Sequence, residues 1–488
     1  MTERLPNVLW IQTDEHRADS LGCYGSPWAK TPRLDALARR GVTFERCFCP
    51  APVCAPSRCS QLACRYPQEL NVLMNPPAGM PDVFEPGTVA FPEVFASAGY
   101  RTVNFGKTHT PVHPVWQSTD DFTFSFDVSG FIELAQGRDP AQYNVLQRPG
   151  EVPLIIGGTW PEPGNNQSRI VTDRALALLN DHGEDDAPFL LRVSHLWPHT
   201  PVLVPPPFDT IYDADEVPVR PFDAEAYTGR SGYDRAMGEI HRMWELSEKA
   251  YRQNWVDYMA LVSYVDHEVG RLLDGLAETG LERDTIVVFS ADHGRMLGEF
   301  GTGEKDVFDD ASFRVPMIWS WPGVLDEGRR EAGLANLIDT GPTLLGLAGL
   351  ADHAPNTWHG RDLFSDPAPD AVFSQIGWPR GDSPLLQRDG IYQLWEETSH
   401  FPWADSMRVA VRTDRYRMDV TRWRAGQHLT SAHDMDGNLI DLEQDPRERV
   451  NRWHDPAFSN VRDRLIERIE QWETTLAAPE ATFASAKA

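Results

Sequence analysis

Positive charge is what this chain is short of. Its 488 residues hold 45 Lys and Arg against 72 Asp and Glu, a formal charge of -27. That balance repels nucleic-acid phosphates and anionic membrane surfaces, so neither is expected as a partner. It also means that an anionic substrate must find a local group of Arg and Lys that reverses the field of the whole molecule. Long hydrophobic runs are missing too: no stretch approaches the roughly 18 apolar residues of a membrane span. The opening M-T-E-R-L-P has no long apolar signal segment and leads straight into an apolar strand, which reads as a cytoplasmic protein. Cysteine is scarce and unevenly placed. Of the six, Cys47, Cys49, Cys54, Cys59 and Cys64 crowd into one stretch, with Cys23 apart. Their spacing offers no C-x2-C pair and no nearby histidine cluster, which argues against a cysteine-built zinc or iron–sulfur site. Most of these thiols read as small buried apolar groups in a reducing compartment.

What is present is a chain long enough for a large core and more than one domain. Asn7 to Thr13 (N-V-L-W-I-Q-T) is an apolar run of strand length followed at once by Asp14-Glu15. A carboxylate at the carboxyl end of a buried strand stands where open α/β sheets place ligands, with a cap for the next turn as the lesser alternative for Asp14. Pro32 to Arg40 predicts a short helix with Pro in its first turn and Gly41 past its end. The stretch C-A-P-S-R-C-S-Q-L-A-C-R, Cys54 to Arg65, predicts a second helix. Its proline suits a first turn, and Ser57 and Arg58 lie beside unpaired backbone N–H groups, a ready site for a tetrahedral oxyanion. Asn71 and Asn75 follow in a loop and read as turn residues.

Further on, a strand ends in G-K-T-H, with Lys107 and His109 two apart and so on one side of extended chain. Alone, they read equally as a solvated lysine and an unrelated histidine. Residues 110 to 187 resist placement. P-F-L-L-R-V-S-H reads as a buried strand ending at His195, expected to be a hydrogen-bonded core histidine, and His199 follows in W-P-H-T-P. From Trp244 to Leu276 the apolar spacing is helical, with Asp266, His267 and Glu268 expected on a solvated face. T-I-V-V-F-S then ends in A-D-H-G, so Asp292 and His293 leave a second central strand at the same edge as Asp14. Leu337 to Leu350 reads as a helix on the sheet, alternating strands follow, and an amphipathic helix closes the chain from Asn460 to Leu476. The change of texture divides it into residues 1–380 and 381–488.

C-x-P-S-R with L-x-x-R resembles the signature of the sulfatase family in the alkaline phosphatase superfamily, near its arylsulfatase, choline-sulfatase and phosphonate monoester hydrolase branches. Ala63-Cys64 stands where that signature has Thr-Gly. The resemblance extends over nearly the whole chain, through the Asp14-Glu15 pair, G-K-x-H, P-H-x-P, D-H-G and Lys305 ahead of R-V-P, all in order. It implies an α/β fold with a mixed, mainly parallel sheet between helices and a smaller C-terminal antiparallel sheet with a helix. It also implies that Cys54 is oxidised to formylglycine by a formylglycine-generating enzyme, and that Asp14, Glu15, Asp292, His293 and residue 54 hold one divalent ion. One imidazole among carboxylates makes Mn²⁺ a rival to Ca²⁺. Arg58, Lys107 and Lys305 are then expected to offset charge on the sulfuryl oxygens, His199 to protonate the leaving alkoxide and His109 to deprotonate the hemiacetal, the last two roles being exchangeable. The expected substrate is a small sulfate ester. A phosphonate monoester or phosphodiester is the alternative, and a dimer or tetramer stays open.

The chemistry has its own logic. A serine nucleophile would exchange one inert sulfate ester for another. An aldehyde hydrate carries two hydroxyls on one carbon, so one attacks sulfur and the other expels sulfate by breaking carbon–oxygen.

Overall fold

The computed structural model describes residues 5–75, 83–120, 143–146, 154–160, 165–183, 186–220, 222–377, 406–424 and 427–476. The aliphatic run at the start forms β1 (Asn7–Thr13), with every residue buried. The large sheet continues in chain order with β2 (Val42–Phe48), β3 (Arg101–Gly106), β4 (Ser118–Asp120), β5 (Phe189–Ser194), β6 (Thr285–Ala291), β7 (Arg314–Val315), β8 (Met317–Ser320) and β9 (Arg329–Asn336). Its order is β9-β2-β8-β6-β1-β5-β3-β4, with β7 against β2. β1 lies in the middle, parallel to both β5 and β6. The antiparallel pairs in it are those of β8 with β2 and β6, and of β7 with β2. A strand covered on both faces needs apolar side chains at every position, which is why β1, β5 and β6 read as continuous rather than alternating.

Helices cover both faces. In chain order the ones that matter are α1 (Pro32–Arg39), α2 (Cys54–Ala63), α3 (Gln167–Asp181), α4 (Gly232–His241), α5 (Glu248–Glu278), α6 (Thr340–Leu347) and α7 (Ser459–Glu473). Val8 and Trp10 of β1 point into one core, while Leu9 and Ile11 point into the other beneath α5. α5 starts where Ser247 accepts the N–H of Ala250 at 3.2 Å, a standard N-cap. The acids expected on its solvated face are corrected here: Asp266 and Glu268 are buried and only His267 is exposed. Asp266 accepts the N–H groups of Leu34 and Arg33 at 2.7 and 3.1 Å, capping α1, and Glu268 accepts from Arg271 at 2.7 Å. Helical periodicity sees one chain only, so it misses a neighbouring helix end that requires an acceptor.

A second, antiparallel sheet comprises β10 (Ala371–Gly377), β11 (Ser406–Thr413), β12 (Tyr416–Arg424), β13 (Gln427–His428) and β14 (Gly437–Asp441). α7 closes it through Leu465, Ile466, Ile469 and Trp472. The expected boundary at residue 380 lies outside the described residues; β10 already belongs to the second sheet. No described helix is long and apolar enough to cross a membrane.

Candidate active site

Parallel register assembles the site. Thr13 of β1 pairs with Ala291 of β6, so the residues after them, Asp14 and Asp292, emerge side by side. The Asp292 N–H donates to the Thr13 carbonyl at 3.1 Å and holds that arrangement. On the other flank Gly106 of β3 pairs with Ser194 of β5, and the Lys107 N–H donates to the Ser194 carbonyl at 3.0 Å. The extended-chain argument for Lys107 and His109 needs correction, because β3 ends at Gly106 and His109 has φ +49. A turn, not strand alternation, aims both side chains inward. α2 begins at Cys54, with Val53 still extended (φ -158, ψ 145). All ten of its residues are buried.

The Cys54 thiol is the point of convergence. His293 Nε2 lies 3.2 Å from its Sγ, Lys305 Nζ 3.4 Å, Lys107 Nζ 3.6 Å and Asp14 Oδ1 3.8 Å. The His109 ring interacts electrostatically with the same side chain, and its Nδ1 has no hydrogen-bond partner among the described residues. Asp14, Cys54, Asp292 and His293 each bring one donor atom into a group whose members all lie within 4.8 Å of one another. All four residues are buried. A sealed set of two carboxylates, an imidazole and residue 54 fits a divalent ion. Glu15 falls in a second group with Asp14 and His199. Its backbone has φ +57, its N–H donates to Asp292 Oδ1 at 3.3 Å, and its carboxylate pairs with Lys305 and Arg295.

Arg58 lies wholly inside, between the carboxylates. Nη2 donates to Asp14 Oδ2 at 2.8 Å and Nε to Asp292 Oδ2 at 2.7 Å. Nη1 reaches Ser194 Oγ at 2.9 Å, the Lys107 carbonyl at 3.2 Å and Gln12 Oε1 at 3.3 Å. Its donors are therefore spent on holding the acids rather than on a ligand. His199 sits at the rim with its side chain 20% exposed, the access a proton donor needs. Its Nδ1 lies 2.5 Å from the Thr200 carbonyl, and Nε2 faces Lys305 Nζ at 3.2 Å and Glu15 Oε1 at 3.3 Å.

Electrostatics follow from that packing. Burial alone would raise the Cys54 thiol, but Lys107, Lys305 and His293 bring it well below its ordinary value. Burial likewise opposes ionisation of Asp14, and Lys107, His199 and Arg58 overcome it, holding the carboxyl far below the usual range. Asp292 moves the other way, up to about 6, because burial and the neighbouring Asp14 outweigh Arg58. The local count is Asp14, Glu15 and Asp292 against Arg58, Lys107, Arg295 and Lys305. Against burial, Asp292 and Cys54 push His293 up to about 9, so its charge offsets that of the Cys54 thiolate and one net positive charge remains before any metal is added, against the field of the acidic chain.

His195, expected in the core, is buried, and burial pushes its ring down to about 4. Its N–H donates to the Gln12 carbonyl at 2.8 Å, but neither ring nitrogen has a partner among the described residues. Asn75, read as a turn residue, accepts the Ala55 N–H at 2.9 Å beside the nucleophile position. Gln12, Ser194 and Arg295 were not legible as site residues. Arg295 had one signal, its place directly after A-D-H-G. A cavity of about 670 Å³ opens beside Arg17, Trp28 and Trp255, and Cys54 and the groups around it do not line it.

Comparison with known proteins gives the family. The family model described as Sulfatase matches residues 6–350. The ulvan-active sulfatase of Formosa agariphila is 30% identical over 75% of this chain and 66% of its own length. Human iduronate 2-sulfatase is 30% identical over 70% of this chain and 69% of its own. Among solved structures, a phosphonate monoester hydrolase from Silicibacter pomeroyi superposes with a TM-score of 0.76 over 97% of this chain and 96% of that one, at 22% identity, a likeness of fold.

Proposed function

The chain belongs to the sulfatase family of sulfuric ester hydrolases, and from that premise we propose that it hydrolyses a small sulfate ester to alcohol and sulfate, with residue 54 converted to formylglycine. The observation that carries this reading is the convergence of Lys107, Lys305, His109 and His293 on the Cys54 side chain, beside Asp14 and Asp292. Asp14, Asp292, His293 and residue 54 would hold the divalent ion, Ca²⁺ or Mn²⁺. Glu15 stands at its edge, paired with Lys305 and Arg295. When bound, the ion supplies Lewis acidity toward a sulfate oxygen and favours an ionised nucleophile. The aldehyde hydrate of residue 54 supplies the attacking hydroxyl.

The remaining work belongs to side chains already in place. Lys107 and Lys305 neutralise charge that grows on the sulfuryl oxygens and leaving group, in a site where burial makes each contact stronger than in water. Arg58 fixes Asp14 and Asp292 so that their Oδ1 atoms face residue 54. His199, at the rim, delivers a proton from Nε2 to the departing alkoxide. His109, on the nucleophile itself, accepts the proton whose loss releases sulfate. Maturation by a formylglycine-generating enzyme is part of the proposal.

Cys54→Ala should abolish turnover while leaving the circular dichroism spectrum and thermal transition unchanged; near-wild-type activity in that variant ends the mechanism. The intact mass of the peptide carrying residue 54 reports conversion. The second reading, hydrolysis of a phosphonate monoester or phosphodiester, is favoured by the Asp292-His293 pair, whereas Lys107 and His109 favour sulfate. Comparing kcat/KM on an aryl sulfate and an aryl phosphonate monoester separates them, and a higher value on the phosphonate would replace the sulfatase reading.

A further inference from the structure

The donor set around residue 54 changes its chemical character with the state of that residue. As a thiol, Cys54 contributes sulfur to a group that otherwise holds one imidazole and two carboxylates. We propose that folded chains retaining Cys54 as a thiol bind Zn²⁺ through Cys54 Sγ, His293 Nε2 and one oxygen each from Asp14 and Asp292. Conversion of residue 54 then turns the same pocket into an oxygen-rich site for a harder ion. The inference concerns the unconverted chain and does not rest on the reaction proposed above.

Three features carry it. The first is spacing. Sγ to Nε2 is 3.2 Å, Sγ to Asp14 Oδ1 3.8 Å, Nε2 to Asp292 Oδ1 3.8 Å and Nε2 to Asp14 Oδ1 4.0 Å. A tetrahedral zinc with bonds of about 2.0–2.3 Å needs edges of roughly 3.3–3.7 Å; these four edges lie within a few tenths of an ångström of that range, and the other two are within 4.8 Å. The second is orientation from behind. His293 Nδ1 lies 2.8 Å from the Gly294 carbonyl, which makes Nδ1 a donor and turns Nε2, the nitrogen left for a metal, toward the sulfur. Arg58 occupies Oδ2 of both aspartates; Asp14 presents Oδ1 to the sulfur, and Asp292 Oδ1 is steadied by the His293 and Glu15 N–H groups at 2.8 and 3.3 Å. The third is position: Sγ is buried among the other three donors, with Lys107 and Lys305 within 3.6 Å of it.

Sulfur and imidazole select zinc over calcium. The step balances simply: the one proton held between Cys54 Sγ and His293 Nε2 passes to solvent, sulfur–zinc and nitrogen–zinc bonds form, and no electron changes hands. The two lysines compete with the cation for the thiolate, and two carboxylates plus the sulfur outnumber them as ligands. Once zinc holds it, the sulfur is a poorer nucleophile and a poorer target for oxidants.

The test uses the full chain prepared without maturation, with a thiol at residue 54 verified by peptide mass and bound metal removed by chelation. Titration with Co²⁺ should give one equivalent bound, a sulfur-to-cobalt charge-transfer band and d–d absorption of tetrahedral intensity, all lost on adding Zn²⁺. Zn²⁺, but not Ca²⁺, should slow alkylation of Cys54 by iodoacetamide by about tenfold or more. Cys54→Ser should lose the charge-transfer band. A band that persists in Cys54→Ser, or unchanged alkylation of the wild-type thiol under Zn²⁺, overturns the proposal. The alkylation arm uses only the wild-type chain, so it decides even if the serine variant fails to fold.

Discussion

Arg58 shows how much one residue can be asked to hold. It lies between two buried carboxylates and bonds three neutral acceptors besides. Arg58→Met leaves Asp292 without its guanidinium partner and Asp14 with Lys107 alone, and breaking a buried pair from one side costs about 3–5 kcal/mol. Urea unfolding should show a loss of that size; a loss under about 1 kcal/mol would mean that the acids find another partner. Arg58→Lys should not restore the wild type, since one ammonium does not reproduce a planar fork with separate donors for two carboxylates. His199 carries the kinetic counterpart. If it protonates the leaving group, His199→Gln should cost roughly 10²–10⁴ in kcat on an alkyl sulfate and much less on an aryl sulfate with an acidic phenol. Equal losses on both substrates would move the role to His109.

At the scale of elements, α5 makes the sharpest prediction. Asp257 on its inner face accepts from Gln253 at 2.7 Å, while its Oδ2 has no hydrogen-bond partner among the described residues. Burial pushes its carboxyl up from 3.8 to about 7, opposed by the Gln253 and Gly158 donors and aided by Asp209. The folded form therefore holds the proton more tightly than the unfolded chain. Its contribution to stability is complete below about pH 4 and is lost as pH rises through about 7. Asp257→Asn should remove that slope, so its unfolding free energy should gain on the wild type between pH 5 and pH 8 in urea titrations. A constant difference across that range would place the proton elsewhere. α2 shows a departure of another kind. Cys64, where the family signature has glycine, ends the helix at φ +53, a conformation that glycine adopts without strain. Its Sγ fills the space that a Cβ on Gly341 would otherwise enter, so packing against α6 offsets a backbone cost.

For the whole molecule, the joint between the two sheets is ionic and buried. Arg417 of β12 pairs with Asp419, with Glu448 at 2.5 Å and with Asp309 at 3.2 Å, while Arg230, just before α4, pairs with Asp309 and Asp234. Asp309 lies four residues beyond Lys305, so this network ties the smaller sheet to the loop that carries an active-site cation. Arg417→Met should lower stability by about 3–5 kcal/mol and reduce kcat with little change in KM. Because the pairs are sealed from water, added salt should not reproduce the effect. Destabilisation that salt mimics would assign it to surface charge instead.

How much of this was legible varies with the range of the signal. The strand of Asn7–Thr13, α1, the start of α2 and the end of β6 are written in local apolar runs and turn residues, and all but α1 carry site residues at their ends. Cys54, Asp14, Asp292 and His293 could be singled out because each lies next to such a local mark. Arg295, Gln12 and Ser194 could not, since their contacts depend on which strands become neighbours. Asp266 and Glu268 were misplaced for the same reason: their partners lie on another helix or outside the stripe that periodicity detects.

The sequence by itself determined the elements, the acidic character and the set of reactive groups, because those follow from side-chain period and composition. Only the tertiary structure decided that the ends of β1 and β6 stand side by side, that Arg58 faces inward, and that Glu15 turns toward Lys305. Parallel register and burial are relations between distant segments, and no stretch of chain carries them alone.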